Sequence, residues 1–392
     1  MSAEWWMALA ALVLAALFAV AVVVLGLRLR RLDGAHERTR GQLDAVEARL
    51  GDLRRRAGRA PGVDLPGPQV ALVLNPVKAR ADEVRRAMEA LAEKEGLGEV
   101  LVLETTEEDP GTAMTREALT AGVRLVVAAG GDGTVRTVAE QLAGTDVALG
   151  VMPLGTGNLL ARNLDLPIND IEECLRIALT GRQRRIDTVD VRLTHEDGAR
   201  TRQTFTVIGG AGYDADIMGD TKDELKDMAG WLAYSEAGMR HLRGRRHEVS
   251  ITLDGGAVQR FKVRSVMVAN CGMLTGGMEL LPEAKLDDGL LDVLVLSPRH
   301  ALDWVRIAAK TLTRHRASIP VMHTEQAQRV QVRFAEPMSS QLDGDATGDI
   351  TALDARIQPD SLVVMLGDED DASVEDGGRS AEAPVPEPAP HI

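Results

Sequence analysis

Cysteine is nearly absent: Cys174 and Cys271, the only two in 392 residues, are far apart and match no zinc or redox spacing. A disulfide framework and a structural zinc site are thereby excluded, and both read as small apolar residues in a reducing compartment. Basic charge is also short, with 45 Lys and Arg against 59 Asp and Glu and a net charge of −14. That balance argues against a dedicated nucleic-acid binder, which needs cations to replace the counterions of a phosphate backbone. No glycine-rich loop ends in Gly-Lys-Ser or Gly-Lys-Thr, and none has the G-x-G-x-x-G spacing, so P-loop ATPase and dinucleotide-dehydrogenase readings lose their motif. Aromatics make up only 3%, but 45% of residues are hydrophobic and 27% charged, a globular composition. The length suggests two domains of roughly 150 residues plus appendages, too large for a small stapled scaffold.

Charge is segregated along the chain. Residues 5–27 carry no charge and are rich in Ala, Val and Leu, long enough to cross a bilayer as one helix. Glu4 precedes the run and Arg28, Arg30 and Arg31 follow it, so the positive-inside bias places the rest of the chain in the cytoplasm. A cleaved signal peptide would want a basic start and a shorter apolar region. Residues 1–27 are therefore expected to form a single-pass anchor in the cell membrane. Residues 28–59 hold ten Arg and five acids, with Leu29, Leu32, His36, Thr39, Leu43, Val46, Leu50 and Leu53 at alternating spacings of three and four. Over 28–60 this reads either as a coiled-coil stalk pairing two subunits in a homodimer or as one amphipathic helix along anionic head groups. Pro61, Gly62, Pro66 and Gly67 make 61–68 a linker. Residues 368–392, with eight acids and one Arg before alternating Pro and Ala, read as an acidic disordered tail.

Between 69 and 181 apolar runs alternate with helical patterns: strands at 70–74, 100–103, 125–129 and 148–152, helices at 81–94, 112–121 and from the third strand to about 142. This βαβ order predicts an α/β domain with a parallel sheet and flanking helices. Gly130-Gly131-Asp132-Gly133-Thr134 follows the third strand and Pro153-Leu154-Gly155-Thr156-Gly157-Asn158 the fourth, so two glycine loops leave one end of the sheet. There backbone N–H groups can approach a phosphate and the next helix offers its positive end. A carboxylate beside phosphate repels it unless a cation intervenes, so Asp132 argues for Mg²⁺.

The runs GGDGTV (130–135) and PLGTGNLLARNL (153–164), the strand end Asn75-Pro76, PEAKLDDGLLDV (282–293) and QLDGD (341–345) resemble the diacylglycerol kinase catalytic-domain superfamily, which includes bacterial lipid kinases and sphingosine kinases. The resemblance covers roughly 69–366. It implies a nucleotide domain, here 69–181, followed by a β-rich, sandwich-like lipid-substrate domain, 182–367, and leaves open a return of the last strands to the first. The second half shows its own strand patterns at 186–193, 204–208, 248–253, 262–269 and 290–296, with helices near 225–242 and 301–312. By the family pattern Asn75, Thr106, Gly130, Gly131, Asp132, Gly133, Thr134, Gly155, Thr156 and Asn158 bind ATP, and Asp132 holds the catalytic Mg²⁺. A second, structural Mg²⁺ falls to Lys285, Asp288 and Leu290, the outer two through backbone carbonyls, with Asp187 as a further member of the Mg²⁺ network. The base is a Glu in the family and Asp345 here, one methylene shorter; a plain hairpin turn at Asp343-Gly344 is the alternative. Arg136, Val77-Lys78-Ala79 and Val207 depart from the pattern around the nucleotide; Lys78 and Arg136 could offset phosphate charge. The loop at 213–215 resembles a family loop near the lipid cleft or is a plain glycine turn; the arginines 240, 243, 245 and 246 either touch anionic lipid or form a solvated helix end; the histidines 241, 247 and 315 show no metal spacing and read as surface.

The expectation is thus an ATP- and Mg²⁺-dependent kinase of a diacylglycerol or related membrane lipid. The alternatives are a kinase of a soluble metabolite such as NAD and a catalytically silent lipid-binding scaffold.

Overall fold

Aliphatic and β-branched runs of five or six residues dictate the first half, because strands buried on both faces must be apolar throughout. The computed structural model describes residues 69–212, 246–274, 279–300 and 319–367, with positions 303, 306, 307, 310 and 311 in helix. The apolar run 5–27, the stalk, the linker, the helix near 225–242, the 213–215 loop and the tail lie outside the described residues. Among the described residues no helix is long and apolar enough to cross a membrane.

The first half runs β1 (Val70–Leu74), α1 (Ala81–Lys94), β2 (Val100–Glu104), α2 (Thr112–Ala121), β3 (Leu125–Gly130), α3 (Asp132–Leu142) and β4 (Ala148–Pro153). Two helices, α4 (Leu159–Asn163) and α5 (Ile171–Thr180), complete it. β1, β3 and β4 are buried at every position. α1 buries Ala81, Val84, Met88 and Ala92, the three-and-four spacing of one helical face. α5 starts where the Asp170 side chain accepts the Glu173 N–H at 3.0 Å, an N-cap. All pairings in the order β2-β1-β3-β4 are parallel. The chain reverses direction across the sheet between β1 and β3, and the carboxyl ends of those strands are where such sheets bind ligands.

The second half is antiparallel: β5 (Arg182–His195), β6 (Arg200–Phe205), β7 (Ile208–Gly212), β8 (His247–Leu253), β9 (Gln259–Val263), β10 (Ser265–Ala269), β11 (Leu291–Leu296), β12 (Met322–Ala327), β13 (Arg329–Leu342) and β14 (Asp345–Leu366). Alternate residues of these strands bury a second core, including Val189, Val191, Phe205, Val249, Ile251, Val266, Val293, Val332 and Leu353. The architecture is therefore an α/β domain followed by a β-rich one. β14 joins them, pairing with β13 and β5 and then running parallel to β4 at Val363 and Val364.

Two sequence expectations are corrected. The single strand expected over 204–208 is two, β6 and β7, because the N–H groups of Thr206, Val207 and Ile208 turn to the Asp343 carboxylate. The run 262–269 likewise divides at Arg264 into β9, paired with β8, and β10, paired with β7 and β11. Sequence pattern alone reads one continuous strand in both places; the breaks come from partners distant in sequence.

Candidate active site

The site begins where β3 and β4 end side by side, with Gly130 paired to Pro153. Gly131 caps α3 in an extended conformation, φ −86° and ψ −174°. The two loops touch: a Cβ on Gly155 would stand 2.8 Å from the Gly131 Cα, so glycine is required there by backbone contact. A Cβ on Gly131 would meet only ordinary contacts, the nearest being the Gly155 Cα at 3.8 Å and Lys78 Nζ at 3.9 Å. The fold itself leaves room for a side chain at Gly131. What the missing Cβ keeps open is a cradle beside the first turn of α3, roofed by a lysine ammonium, which suits a phosphate.

Asp132 opens α3 and reaches across to the second loop. Its Oδ2 accepts the Asn158 N–H at 2.9 Å and its Oδ1 the Leu159 N–H at 2.5 Å. Burial pushes its carboxyl up to about 6; the Leu159 and Asn158 N–H groups oppose this, and the charges of Asp343 and Asp345 add to it. Asn158 sits at φ 49° and spends its side chain on Gly155, accepting from its N–H at 3.0 Å and donating to its carbonyl at 2.8 Å. Thr134 is 4% exposed and packs beneath Gly130, whereas Thr156 is exposed. Asn75, at the end of β1, donates its N–H to the Ala129 carbonyl at 2.9 Å and accepts the Val77 N–H on its side chain. Thr106 follows the edge strand β2 and closes its own turn by accepting the Asp109 N–H at 3.1 Å. The structure thus brings together Gly130 to Gly133, Gly155, Asn158 and Asn75; Thr106 stands further out along the same sheet end.

Asp343-Gly344 is the hairpin turn between β13 and β14, with φ 47° and 90°. Two consecutive left-handed residues make a type I′ turn, for which Asp-Gly is suited. The turn does more than reverse the chain. Asp343 is 2% exposed and accepts four hydrogen bonds, from the N–H groups of Thr206, Val207 and Ile208 and the Thr206 hydroxyl, all at 2.8–2.9 Å. Burial still raises its pKa against these donors. The next acid, Asp345, is delivered to the glycine-loop side: a Cβ on Gly133 would lie 2.7 Å from its Oδ2. The same oxygen accepts from Arg136 Nη2 at 3.2 Å.

The acidic loop 285–290 is held from beneath by Asp187, 1% exposed, whose oxygens accept the Gly289 and Asp360 N–H groups at 2.8 Å each. Both Asp187 oxygens thus serve the backbone. Asp288 is exposed and accepts the Leu290 N–H at 3.0 Å; Lys285 is exposed. Among the described residues no three His, Cys, Asp or Glu side chains form a cluster able to hold a metal ion. Any ion here needs backbone carbonyls and water beside a single carboxylate. At the cradle the donor chemistry fits Mg²⁺ better: Asp132 brings hard carboxylate oxygens with the acids Asp343 and Asp345 close enough to add their charge.

Sequence reasoning noted Arg136 and Lys78 as departures that could offset phosphate charge, and it missed Gln203. Arg136 Nη1 donates to Gln203 Oε1 on β6 at 3.2 Å. A contact spanning 67 positions leaves no local signal.

Comparison with known proteins bears on the whole body. The diacylglycerol kinase catalytic domain matches residues 69–191 and the YegS C-terminal NAD kinase beta sandwich-like domain matches residues 207–366. A diacylglycerol kinase of Bacillus subtilis (strain 168) is 32% identical over 282 residues, 71% of this chain and 89% of the relative. A "Probable lipid kinase YegS-like" of Chromohalobacter salexigens is 34% identical over 57% of this chain and 70% of its own length. Among solved structures, a diacylglycerol kinase from Bacillus anthracis str. Sterne superposes with a TM-score of 0.56 at 20% identity, covering 78% of this chain and 98% of that one, which speaks to the fold.

Proposed function

Because the chain belongs to the diacylglycerol kinase family of lipid kinases, we propose that it moves the γ-phosphoryl group of ATP, with Mg²⁺, to a hydroxyl of diacylglycerol or a related membrane lipid at the cytoplasmic face. The observation that carries this reading is Asp345, an acid from the far end of the chain placed against Gly133 beside the cradle. Phosphoryl transfer needs such a cradle, charge neutralisation and a group to orient the acceptor hydroxyl.

The N–H groups of the Gly130–Gly133 turn and the Lys78 ammonium hold the nucleotide phosphates. The acceptor oxygen attacks the γ-phosphorus, the bond to the β-phosphate oxygen breaks, and ADP leaves with that electron pair. Asp345 takes the hydroxyl proton. Asp132 would hold Mg²⁺, which when bound neutralises charge on the transferred group. Lys285, Asp288 and Leu290 would hold a second ion through carbonyl and carboxylate oxygens. The uncharged run 5–27 followed by Arg28, Arg30 and Arg31 supports a membrane anchor that keeps the body near its insoluble substrate, raising effective concentration without any further contact. The basic stretch after it would follow anionic lipid or pair two copies.

The test is transfer of labelled γ-phosphate from Mg·ATP to diacylglycerol in detergent micelles. Labelled lipid from the intact chain, lost in Asp132→Ala and Asp345→Ala, is the expected result. ATP binding without labelled lipid would sink an active kinase toward this acceptor and favour a silent scaffold; label on NAD in a parallel reaction would point to a soluble-metabolite kinase.

A further inference from the structure

We propose that Arg136 is a positioning residue that holds the Asp345 carboxylate over the glycine cradle, and that Gln203 fixes the guanidinium from the opposite side. The inference rests on the reading of Asp345 as the group that takes the acceptor proton. Three elements meet at this point: α3 supplies Arg136, β6 supplies Gln203 and β14 supplies Asp345.

Arg136 lies one turn beyond Asp132, and its side chain is 12% exposed, against 43% for Asp345. Nη2 donates to Asp345 Oδ2 and Nη1 to Gln203 Oε1, each at 3.2 Å. Glu140, one turn further along α3, faces the guanidinium electrostatically and accepts the Thr204 N–H of β6. A planar guanidinium bound at both ends is a rigid arm, whereas a single exposed ion pair would fix little. Nε is buried without a partner, so the side chain is placed by its two tips.

The carboxylate needs such a hold. Asp345 is the first residue after a two-residue turn, and a short side chain on a hairpin end has nothing else to fix its rotamer: among the described residues Oδ2 meets Arg136 and Oδ1 has no hydrogen-bond partner. Oδ2 is thus occupied and Oδ1 is the oxygen left for an acceptor hydroxyl. The two hydrogen bonds that Arg136 makes go to Asp345 and Gln203, which assigns the arginine to the acid.

The experiment is steady-state transfer from Mg·ATP to 1,2-dioleoylglycerol in detergent micelles, using the full chain and five variants: Asp345→Asn, Arg136→Gln, Arg136→Lys, Gln203→Leu and the double variant Arg136→Gln/Asp345→Asn. Arg136→Gln is expected to lower kcat about ten- to a hundredfold, the scale of a misplaced group, with KM for ATP unchanged. Arg136→Lys should recover only part of this, because one ammonium cannot span both oxygens in the same geometry. Gln203→Leu should shift kcat in the same direction by less, giving a second probe that leaves Arg136 in place. The double variant should be no slower than Asp345→Asn alone. An Arg136→Gln loss that multiplies onto Asp345→Asn, or that appears as a raised KM for ATP, would overturn the inference and place Arg136 on the phosphates. Full kcat in Asp345→Asn would overturn the reading of Asp345 itself, and the positioning role with it; a slow Asp345→Asn with a silent Arg136→Gln would overturn the positioning role alone.

Discussion

A glycine can be demanded by the fold or by a ligand, and Gly155 and Gly131 differ in what the fold asks of them. Gly155 is demanded by the fold, since its Cβ would reach 2.8 Å from the Gly131 backbone. Gly131 has φ −86° and 3.8 Å to its nearest neighbour, a conformation open to any residue. Gly131→Ala is therefore expected to melt within about 2 °C of the parent, as for an unstrained substitution, while losing at least about tenfold in ATP affinity, some 1.4 kcal/mol. Calorimetry of unfolding and of ATP titration checks both; a lowered melting point with intact ATP affinity would contradict it. Gly133→Ala separates the steps differently. It lies in α3, where Ala is the better helix former, but its Cβ would displace Asp345 from 2.7 Å. Stability should hold, ATP affinity should change little, and kcat should fall. The two cysteines behave as their scarcity suggested: both are free and buried, and burial pushes the Cys174 thiol up to about 12.

At the scale of elements, the β13–β14 hairpin shows how one turn serves both fold and site. Its two acids are separated by one glycine and meet opposite environments. Asp343 is inside, taking every donor at the β6–β7 break, and Asp345 is half-exposed beside α3. The break and the clamp are the same event, because three successive N–H groups cannot serve both a ladder and a carboxylate. Asp343→Asn puts an NH₂ group against donors that have lost their acceptor, costing about 2–3 kcal/mol. We expect a urea midpoint lowered accordingly and kcat reduced as well, since Asp345 is carried on the same turn. An unaltered midpoint would show that Thr206 to Ile208 find other partners. Val207 fits this account: its side chain is fully buried and its N–H serves Asp343, so its role is in the backbone.

At the scale of the molecule, β14 is the member that makes two domains into one enzyme. Its first residue is the acid at the cradle, its middle pairs with the sandwich strands β13 and β5, and its end lies parallel to β4. The proposed anchor belongs to this scale too. If residues 5–27 span the bilayer, Leu14→Arg with Leu17→Arg should move the chain from the membrane pellet to the soluble fraction, each central charge costing about 2.5–3.5 kcal/mol, while micelle activity persists. An unchanged pellet would show that another part of the chain holds it there. Sequence alone determined the four parallel strands and the first three helices, including the limits of α1 and α2, because buried parallel strands and amphipathic helices write their pattern locally; it did not mark α4 and α5. It also marked both glycine loops and the Asp-Gly turn, whose backbone angles restrict residue choice. Tertiary structure alone decided that strands 204–208 and 262–269 are broken, that Asp132, Asp187 and Asp343 hold backbone N–H groups, and that Arg136 reaches Gln203 and Asp345 across 67 and 209 positions. Carboxylates and guanidinium groups carry no period, and a hydrogen bond between residues so far apart is specified only once the strands between them have paired.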